Sequence, residues 1–407
     1  MTVSTPTHPN EARPRRRRAA PTGGFAGVGV SAPVVDVLAR QDIHEPFAIQ
    51  SLVLADAIAG RDVLAKSRTG SGKTLAFAIP IVERLSRKGQ PSALVLVPTR
   101  ELANQVTEEF RTIAGARRLT VAAVYGGVSI AKQVKAAGRA DIVVATPGRL
   151  LDLLRRRLLR LNGVGICVLD EADRMLDMGF LPDVRVILSV LPETRQTMLF
   201  SATLDGEVDR LATQFTRNPV RHEINDVRPV VSEAVHRFVA VGTGDKVATL
   251  AHELAGDRGA TLVFVRTKRG ADRLARNLAA RDFGAQALHG DMSQNARERA
   301  LRRFASGAVD VLVATDVAAR GLDLDDISHV VNFDLPGDEK AYIHRVGRTA
   351  RAGRSGTAVT FVTTEQQPEM ARMAKLLHLE REFAGAGMAT AHRRGSGPRS
   401  SRPRRRR

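Results

Sequence analysis

The chain has no tryptophan, two tyrosines and a single cysteine among 407 residues. One cysteine excludes a disulfide framework and a cysteine zinc site. Cys167 lies in the apolar run 164–169 and reads as a buried strand residue. Aromatics amount to 4%, which argues against a surface that grips single strands mainly by base stacking but leaves backbone binding open. No run is long and apolar enough to span a bilayer. No apolar core follows the arginines at 15–18, so neither a signal peptide nor a twin-arginine export signal is expected. A cytoplasmic address without a membrane partner is the expectation. Negative charge is also short: 43 Asp and Glu stand against 62 Lys and Arg, a net +19.

That surplus is unevenly spread. Thirteen arginines fall in two terminal stretches: Arg13, residues 15–18, Arg393, Arg394, Arg399, Arg402 and residues 404–407. With Glu11 subtracted, these stretches hold +12 of the +19. Residues 1–22 are rich in Pro and Arg, and residues 384–407 in Gly, Arg, Ser and Pro. Neither shows periodicity. Both are expected to be disordered basic tails that attract polyanions without reading sequence. Solubilising tails with no fixed partner are the alternative.

What is present is organised around residues 65–74, Ala-Lys-Ser-Arg-Thr-Gly-Ser-Gly-Lys-Thr. Apolar residues 63–65 precede it and 75–79 follow it, a strand–loop–helix context. Gly70 and Gly72 let backbone N–H groups turn into a hollow that suits phosphate oxygens. The helix N-terminus behind adds a favourable dipole. Lys73 supplies a cation, and the Thr74 hydroxyl suits Mg2+. The first glycine of the pattern G-x-x-x-x-G-K-[ST] is Ser67 here. A surface turn beside a lysine is the plain alternative, and the flanking strand and helix argue against it.

Helical spacing runs through 34–40 and 48–59 ahead of this loop. After it, near-continuous Ala, Val, Ile and Leu at 93–97, 121–125, 142–145, 166–169 and 197–200 read as strands covered on both faces. Helical patterns at 75–87, 101–113, 149–156 and 207–215 supply the crossovers, which makes a doubly wound sheet. Periodicity fades over 219–232, around Asn218-Pro219, Asn225-Asp226 and Arg228-Pro229, and this stretch reads as a linker. The alternation then restarts. Strands are expected at 235–241, 261–265, 285–288, 311–314, 330–333 and 358–362, and helices at 245–254, 268–280, 294–304, 339–346 and 366–377. The fold class is α/β, with domains at 23–218 and 233–383, because the chain exceeds one ordinary core.

The run 166–169 ends in Asp170-Glu171-Ala172-Asp173. Such sheets bind ligands at the C-terminal ends of their strands. Asp170 can hold a Mg2+ that bridges nucleotide phosphates, and Glu171 can orient and deprotonate a water. An acidic helix cap is the alternative; pairing with Lys73-Thr74 favours the chemistry. The second domain has no phosphate loop. It carries His344-Arg345-Val346-Gly347-Arg348-Thr349-Ala350-Arg351. These arginines either reach a γ-phosphate held by the first domain or cap their own helix end. The spacing leaves both open. The Gln50 amide can pair with a donor and an acceptor on a purine edge, or simply face water.

With these residues in hand, the chain resembles a DEAD-box ATP-dependent RNA helicase over about residues 25 to 380. Phe25 with Ile49-Gln50 is similar to the adenine-reading Q motif, although Asp42-Ile43 and Phe47-Ala48 replace its usual Gly-Phe and Thr-Pro pairs. An apolar contact at Ile43 then stands in for adenine stacking. Pro98-Thr99-Arg100-Glu101-Leu102-Ala103, Gly126-Gly127 and Thr146-Pro147-Gly148-Arg149 are similar to the RNA-contacting segments of the first domain. Ser201-Ala202-Thr203 resembles the segment that couples hydrolysis to strand separation. Residues 294–297, 314–316 and 321–323 match further RNA and interdomain motifs, and residues 344–351 match the last, with Ala350 where glycine is common.

The resemblance implies two tandem RecA-like domains, ATP and Mg2+ as cofactors and RNA as partner. On it, Lys73, Glu171, Arg348 and Arg351 are catalytic. The nucleotide site takes in Phe25, Ile43, Gln50, Arg68, Thr69, Gly70, Ser71, Gly72, Lys73, Thr74 and Asp323, and the metal falls to Thr74 and Asp170. Asp173, Ser201, Thr203, His344 and Arg345 couple the domains. Thr99, Arg100, Gly126, Gly127, Thr146, Arg149, Gln294, Arg297 and Thr315 contact RNA. Closure on ATP and RNA bends one strand and opens short duplexes, and hydrolysis resets the cycle. A monomer acting on ribosomal precursors or with the RNA-decay machinery is expected. The rivals are a double-stranded DNA translocase on the same scaffold and an ATP-gated RNA clamp or ribosome-assembly scaffold.

Overall fold

The computed structural model describes residues 23–67, 71–224, 234–256, 258–319, 327–349 and 356–388. Seven strands build the first sheet: β1 (Val63–Lys66), β2 (Ala93–Leu96), β3 (Val121–Val124), β4 (Ile142–Ala145), β5 (Ile166–Leu169), β6 (Gln196–Ser201) and β7 (Val220–Glu223). Their order is β3-β4-β2-β5-β6-β1-β7, and every neighbouring pair is parallel. The second sheet has six: β8 (Ala234–Ala240), β9 (Thr261–Phe264), β10 (Ala285–Leu288), β11 (Val311–Ala314), β12 (His329–Asn332) and β13 (Gly356–Val362). Its order is β10-β11-β9-β12-β13-β8, again all parallel.

The strand sequences explain this arrangement. Successive side chains of a strand point to opposite faces. Val63, Ala65, Val95 and Val144 enter one core, while Leu64, Leu94, Leu96 and Val143 enter another on the other face. Both faces are roofed by helices, so the central strands are apolar throughout rather than alternating. The second sheet repeats the device: Val263 and Val313 face one core, and Leu262, Phe264 and Leu312 the other. Each buried leucine contributes about 1.5–3 kcal/mol through removal from water.

Two boundaries differ from expectation. The linker was expected to begin at 219, yet β7 occupies Val220–Glu223 and pairs with β1. Val220 N–H donates to the Asp62 carbonyl at 2.8 Å, and Ile224 N–H to the Lys66 carbonyl at 3.1 Å. This edge strand alternates half-buried and exposed residues, so it shows none of the continuous apolar signal of the interior strands. At the other end, the second domain continues past 383. Phe383 and Met388 are buried in one of its cores, around the helix Glu380–Gly385. Residues 225–232 of the linker, residue 233, the stretch 1–22 and residues 389–407 lie outside the described residues.

Candidate functional site

The C-terminal edge of the first sheet gathers the loop after β1 and the acidic turn after β5. Ser67 leaves β1 with its N–H on the Ser201 carbonyl, 3.0 Å away. Gly72 then turns at φ +80° into the helix Lys73–Arg84. Glycine is required there twice over. The backbone is left-handed, and a Cβ would stand 2.4 Å from the Phe47 ring and 2.6 Å from Gln50 Nε2. Lys73 is buried and folds back across the loop, its Nζ donating to the Ser67 carbonyl at 3.0 Å. The Ser71 hydroxyl reaches the Ser67 hydroxyl at 3.0 Å. Thr74 follows in the first helical turn, half-buried. Arg68, Thr69 and Gly70 lie outside the described residues.

Gln50 Oε1 accepts from the Phe47 N–H at 2.9 Å, and its Nε2 donates to the Gly72 carbonyl at 2.8 Å. The amide thus uses a donor and an acceptor, as expected, but on backbone groups rather than on an open face; it braces the helix Ala48–Ile58 against the loop.

Asp170 and Glu171 are both buried at the end of β5. Burial pushes the Asp170 carboxyl up, to about 7; Lys73 opposes this and the Glu171 charge adds to it. For Glu171, burial also acts upward, but the Arg174, Lys73 and Arg348 cations together hold it below the usual carboxylate range. Arg174 forms a buried ion pair with Glu171 one helical turn away. Glu171 itself sits at φ +52°, in the left-handed region that a non-glycine residue rarely adopts. Such a conformation costs on the order of 1–2 kcal/mol and persists where its surroundings hold it. Arg348 comes from the second domain, after the helix Glu339–Val346. Charges from both domains therefore meet on one carboxylate.

Asp173 ties this turn to β6: its N–H donates to Ser201 Oγ at 3.2 Å, and its Oδ2 accepts from the Ala202 N–H at 3.1 Å. Asp173, Thr203 and, from the second domain, His344 line one interdomain cavity of about 460 Å³. A second interdomain cavity, about 290 Å³, is lined by Thr99, Arg100, Gly126, Thr146 and Arg149 on one side and by Gln294 and Arg297 on the other. Gly127 sits beside it. A Cβ there would come 2.4 Å from Arg100 Nη1 and 3.7 Å from Gln294 Cβ. Thr315 is buried just past β11, near Val317 of the same lining. Arg297 bonds across the cleft to Glu101, 2.8 Å from its Nε. The Arg149 guanidinium is held by Gln133 Oε1 at 2.9 Å and the Val128 carbonyl at 3.2 Å.

Residues 47–211 match the family model described as DEAD/DEAH box helicase, and residues 245–353 match the helicase conserved C-terminal domain. The chain belongs to the DEAD-box family. It is 42% identical to the RNA helicase CrhR of Synechocystis sp. over 81% of this chain and 67% of that protein. It is likewise 42% identical to the DEAD-box ATP-dependent RNA helicase CshA of Bacillus subtilis, over 80% of this chain and 66% of that one. The chain thus spans about two-thirds of the length of these curated relatives. Among solved structures it is similar to S. cerevisiae Dbp5 bound to RNA and ADP BeF3, with 31% identity, 88% and 94% coverage and a TM-score of 0.79.

Against the DEAD-box pattern, two expectations need correction. Phe25 is 1% exposed and packed in the first core, so it offers no ring face to a base. Arg345, expected to couple the domains, is 2% exposed and bonded within the second domain. It makes two bonds to the Asp316 carboxylate, at 2.6 and 2.8 Å, and others to Asn332 Oδ1 and the Asp334 carbonyl. Ile43 is half-buried against the first core. Arg351 and Asp323 lie outside the described residues. Sequence reasoning missed Arg174 as the partner of Glu171 and Glu101 as the partner of Arg297. It recorded Phe47 only as a departure. An i,i+3 acid–base pair was a signal for the first; the second joins positions 196 residues apart, which no local pattern reveals.

Proposed function

We propose that this chain is an ATP-dependent RNA helicase, which hydrolyses ATP and separates or remodels short RNA duplexes and RNA–protein complexes by closing its two domains. One observation carries the reading: the buried Glu171 carboxylate lies under the charge of Lys73 from the first domain and Arg348 from the second. A group that needs cations from both sides suits a γ-phosphate at the seam, where closure and hydrolysis become one event.

The loop at 67–74 cradles the triphosphate, and Lys73 exchanges the Ser67 carbonyl for phosphate oxygens. Asp170 and Thr74 would hold Mg2+. The fit is supported by the raised pKa of Asp170, since a buried carboxylate lacking full compensation is a natural cation ligand. When bound, Mg2+ neutralises charge on the phosphates. Glu171 takes the proton of the attacking water. Arg348 stabilises charge on the transferred phosphoryl group, and Arg351 and Asp323 join it on the family pattern.

RNA runs along the cleft lined by Thr99, Arg100, Gly126, Gly127, Thr146 and Arg149, with Gln294, Arg297 and Thr315 opposite. Small residues and arginines suit phosphate and 2′-hydroxyl contacts. Gln294 supports this: its Oε1 is a buried acceptor without a hydrogen-bond partner, and a hydroxyl is a donor. Asp173, Ser201, Thr203 and His344 transmit closure. We further infer a cytoplasmic monomer acting on ribosomal precursors or with RNA-decay machinery. No helix among the described residues is long and apolar enough to cross a membrane.

Phosphate release with RNA, single-stranded DNA and duplex DNA side by side tests the reading. RNA should stimulate turnover and the DNAs should not; equal stimulation by duplex DNA would favour a translocase. Glu171→Gln should lower turnover on the order of 10²–10⁴-fold while ATP-dependent RNA binding persists. Undiminished hydrolysis in that variant would refute the base assignment.

A further inference from the structure

Tyr342 is fully buried, and its hydroxyl lies 2.8 Å from His236 Nδ1. A buried tyrosine hydroxyl ordinarily finds a partner. This one stands inside a run of bonds whose direction is fixed from one end. Arg345 has donors only, so its Nη1 donates to Asn332 Oδ1, 3.0 Å away. The Asn332 amide then turns its Nδ2 to Thr360 Oγ1, also at 3.0 Å. The two residues stand opposite each other in the β12–β13 ladder, and both are buried. The Thr360 hydroxyl donates in turn to the Tyr342 oxygen, which leaves the phenolic proton for His236 on β8. Every donor points the same way, an arrangement in which each bond polarises the next.

Tyr342 and Arg345 lie about one turn apart on the helix Glu339–Val346, so they share a face. Through Thr360 and Asn332 they close a circuit with the sheet, and His236 extends it to the first strand of the second domain. The helix is thus pinned at two heights, which fixes both its rotation and its position along its axis. Its other side carries Lys340, Ile343 and His344 into the interdomain cavity of about 460 Å³. Arg348 follows its end and bears on Glu171 of the first domain. Building on the reading that Arg348 serves ATP hydrolysis, we propose that Tyr342 is a positioning residue for that step: its hydroxyl, held between Thr360 and His236, aims Arg348 across the seam. A misplacement of about 1 Å at a reacting group can cost about 10²-fold, so a helix loosened at one of its two pins should cost less than that.

The test is RNA-stimulated phosphate release by the full chain. Tyr342→Phe keeps the ring and removes the hydroxyl. It should lower kcat about tenfold, with KM for ATP within about twofold. In an Arg348→Ala background the same change should cost less than about twofold, because nothing is left to aim. His236→Leu should repeat the loss. His236→Gln, whose amide oxygen can accept from the hydroxyl, should keep kcat within about twofold of the unaltered protein. A merely structural Tyr342 gives another pattern: its loss multiplies with that of Arg348→Ala, or vanishes once activity is referred to the folded fraction from urea melting. Either result overturns the proposal, as does a His236→Gln variant as slow as His236→Leu. If Tyr342→Phe does not fold, the two His236 variants decide alone. Absence of hydrolysis by the unaltered protein sinks the parent reading and this one with it; an active protein whose Tyr342→Phe variant is undiminished sinks this one only.

Discussion

Two arginines three positions apart divide the labour of the second domain's last motif. Arg345 is enclosed by Asp316, Asn332 and the Asp334 carbonyl, and its guanidinium lies over the Phe264 ring at 5.0 Å. Arg348 instead bears on Glu171 in the other domain. Arg348→Ala should therefore leave the fold intact and lower RNA-stimulated turnover on the order of 10³-fold. Arg345→Ala should leave the half-buried Asp316 carboxylate and the buried Asn332 Oδ1 without their donor and destabilise the second domain by about 2–3 kcal/mol. Parallel turnover and urea-melting measurements separate the two; a melting loss in Arg348→Ala equal to that in Arg345→Ala would contradict the division. The phosphate loop and the acid pair were legible because their chemistry requires specific residues side by side. Which arginine crosses the seam was not legible from spacing and was assigned to Arg348 and Arg351 only on the family resemblance, since Arg345 and Arg348 have the same type and the same helix end. Phe25 failed for a related reason: an aromatic at the right spacing serves a core as readily as a ligand.

At the scale of the element, four strands were read to the residue: Ile142–Ala145, Ile166–Leu169, Ala285–Leu288 and Val311–Ala314. Three of these four are buried at every position, so their apolar runs have no competing explanation. β7 was missed because one face of an edge strand meets water, and polar residues there erase the pattern. A single side chain anchors several of these elements. Asp141 is fully buried at the foot of β4 and accepts from the N–H groups of Lys88, Gly89 and Thr120 at 2.8, 2.9 and 3.0 Å, and from the Thr120 hydroxyl at 2.8 Å. Burial pushes its carboxyl up, but these donors prevail and hold it below the ordinary 3.8. A folded-state pKa that is depressed contributes stability above the unfolded value, and the contribution fades as pH falls through the folded one. Asp141→Asn turns an amide donor toward three backbone donors. It should cost about 3 kcal/mol at pH 7, and the difference from the unaltered protein should shrink below about pH 4. Urea melts from pH 7 to 3 would show this; a pH-independent difference would mean the charge is not what matters.

At the scale of the whole molecule, the two domains meet through more than the nucleotide seam. Sequence reasoning expected closure to follow from arginines gaining a triphosphate partner. It gave no reason for the domains to hold each other directly, because contacts between distant segments leave no periodic trace. Glu101 and Arg297 provide such a hold, each side chain about nine-tenths buried at the cleft where RNA is proposed to run. Removing one partner of a buried pair strands the other's charge. Glu101→Arg should therefore spread the domains, raise the radius of gyration in small-angle scattering and lower RNA-stimulated hydrolysis. The pair Glu101→Arg with Arg297→Glu restores opposite charges across the same gap and should recover much of both, with a coupling energy of about 1–3 kcal/mol between the positions. Each residue alone also touches the cleft where RNA is proposed to run, so loss of hydrolysis in one variant could arise from weaker RNA contact. Recovery in the double variant distinguishes the two, because exchanging the charges leaves the cleft's net charge unchanged and restores only the bond between domains. If the double variant is as open and as slow as the single one, the hold is incidental, and closure rests on nucleotide and RNA alone.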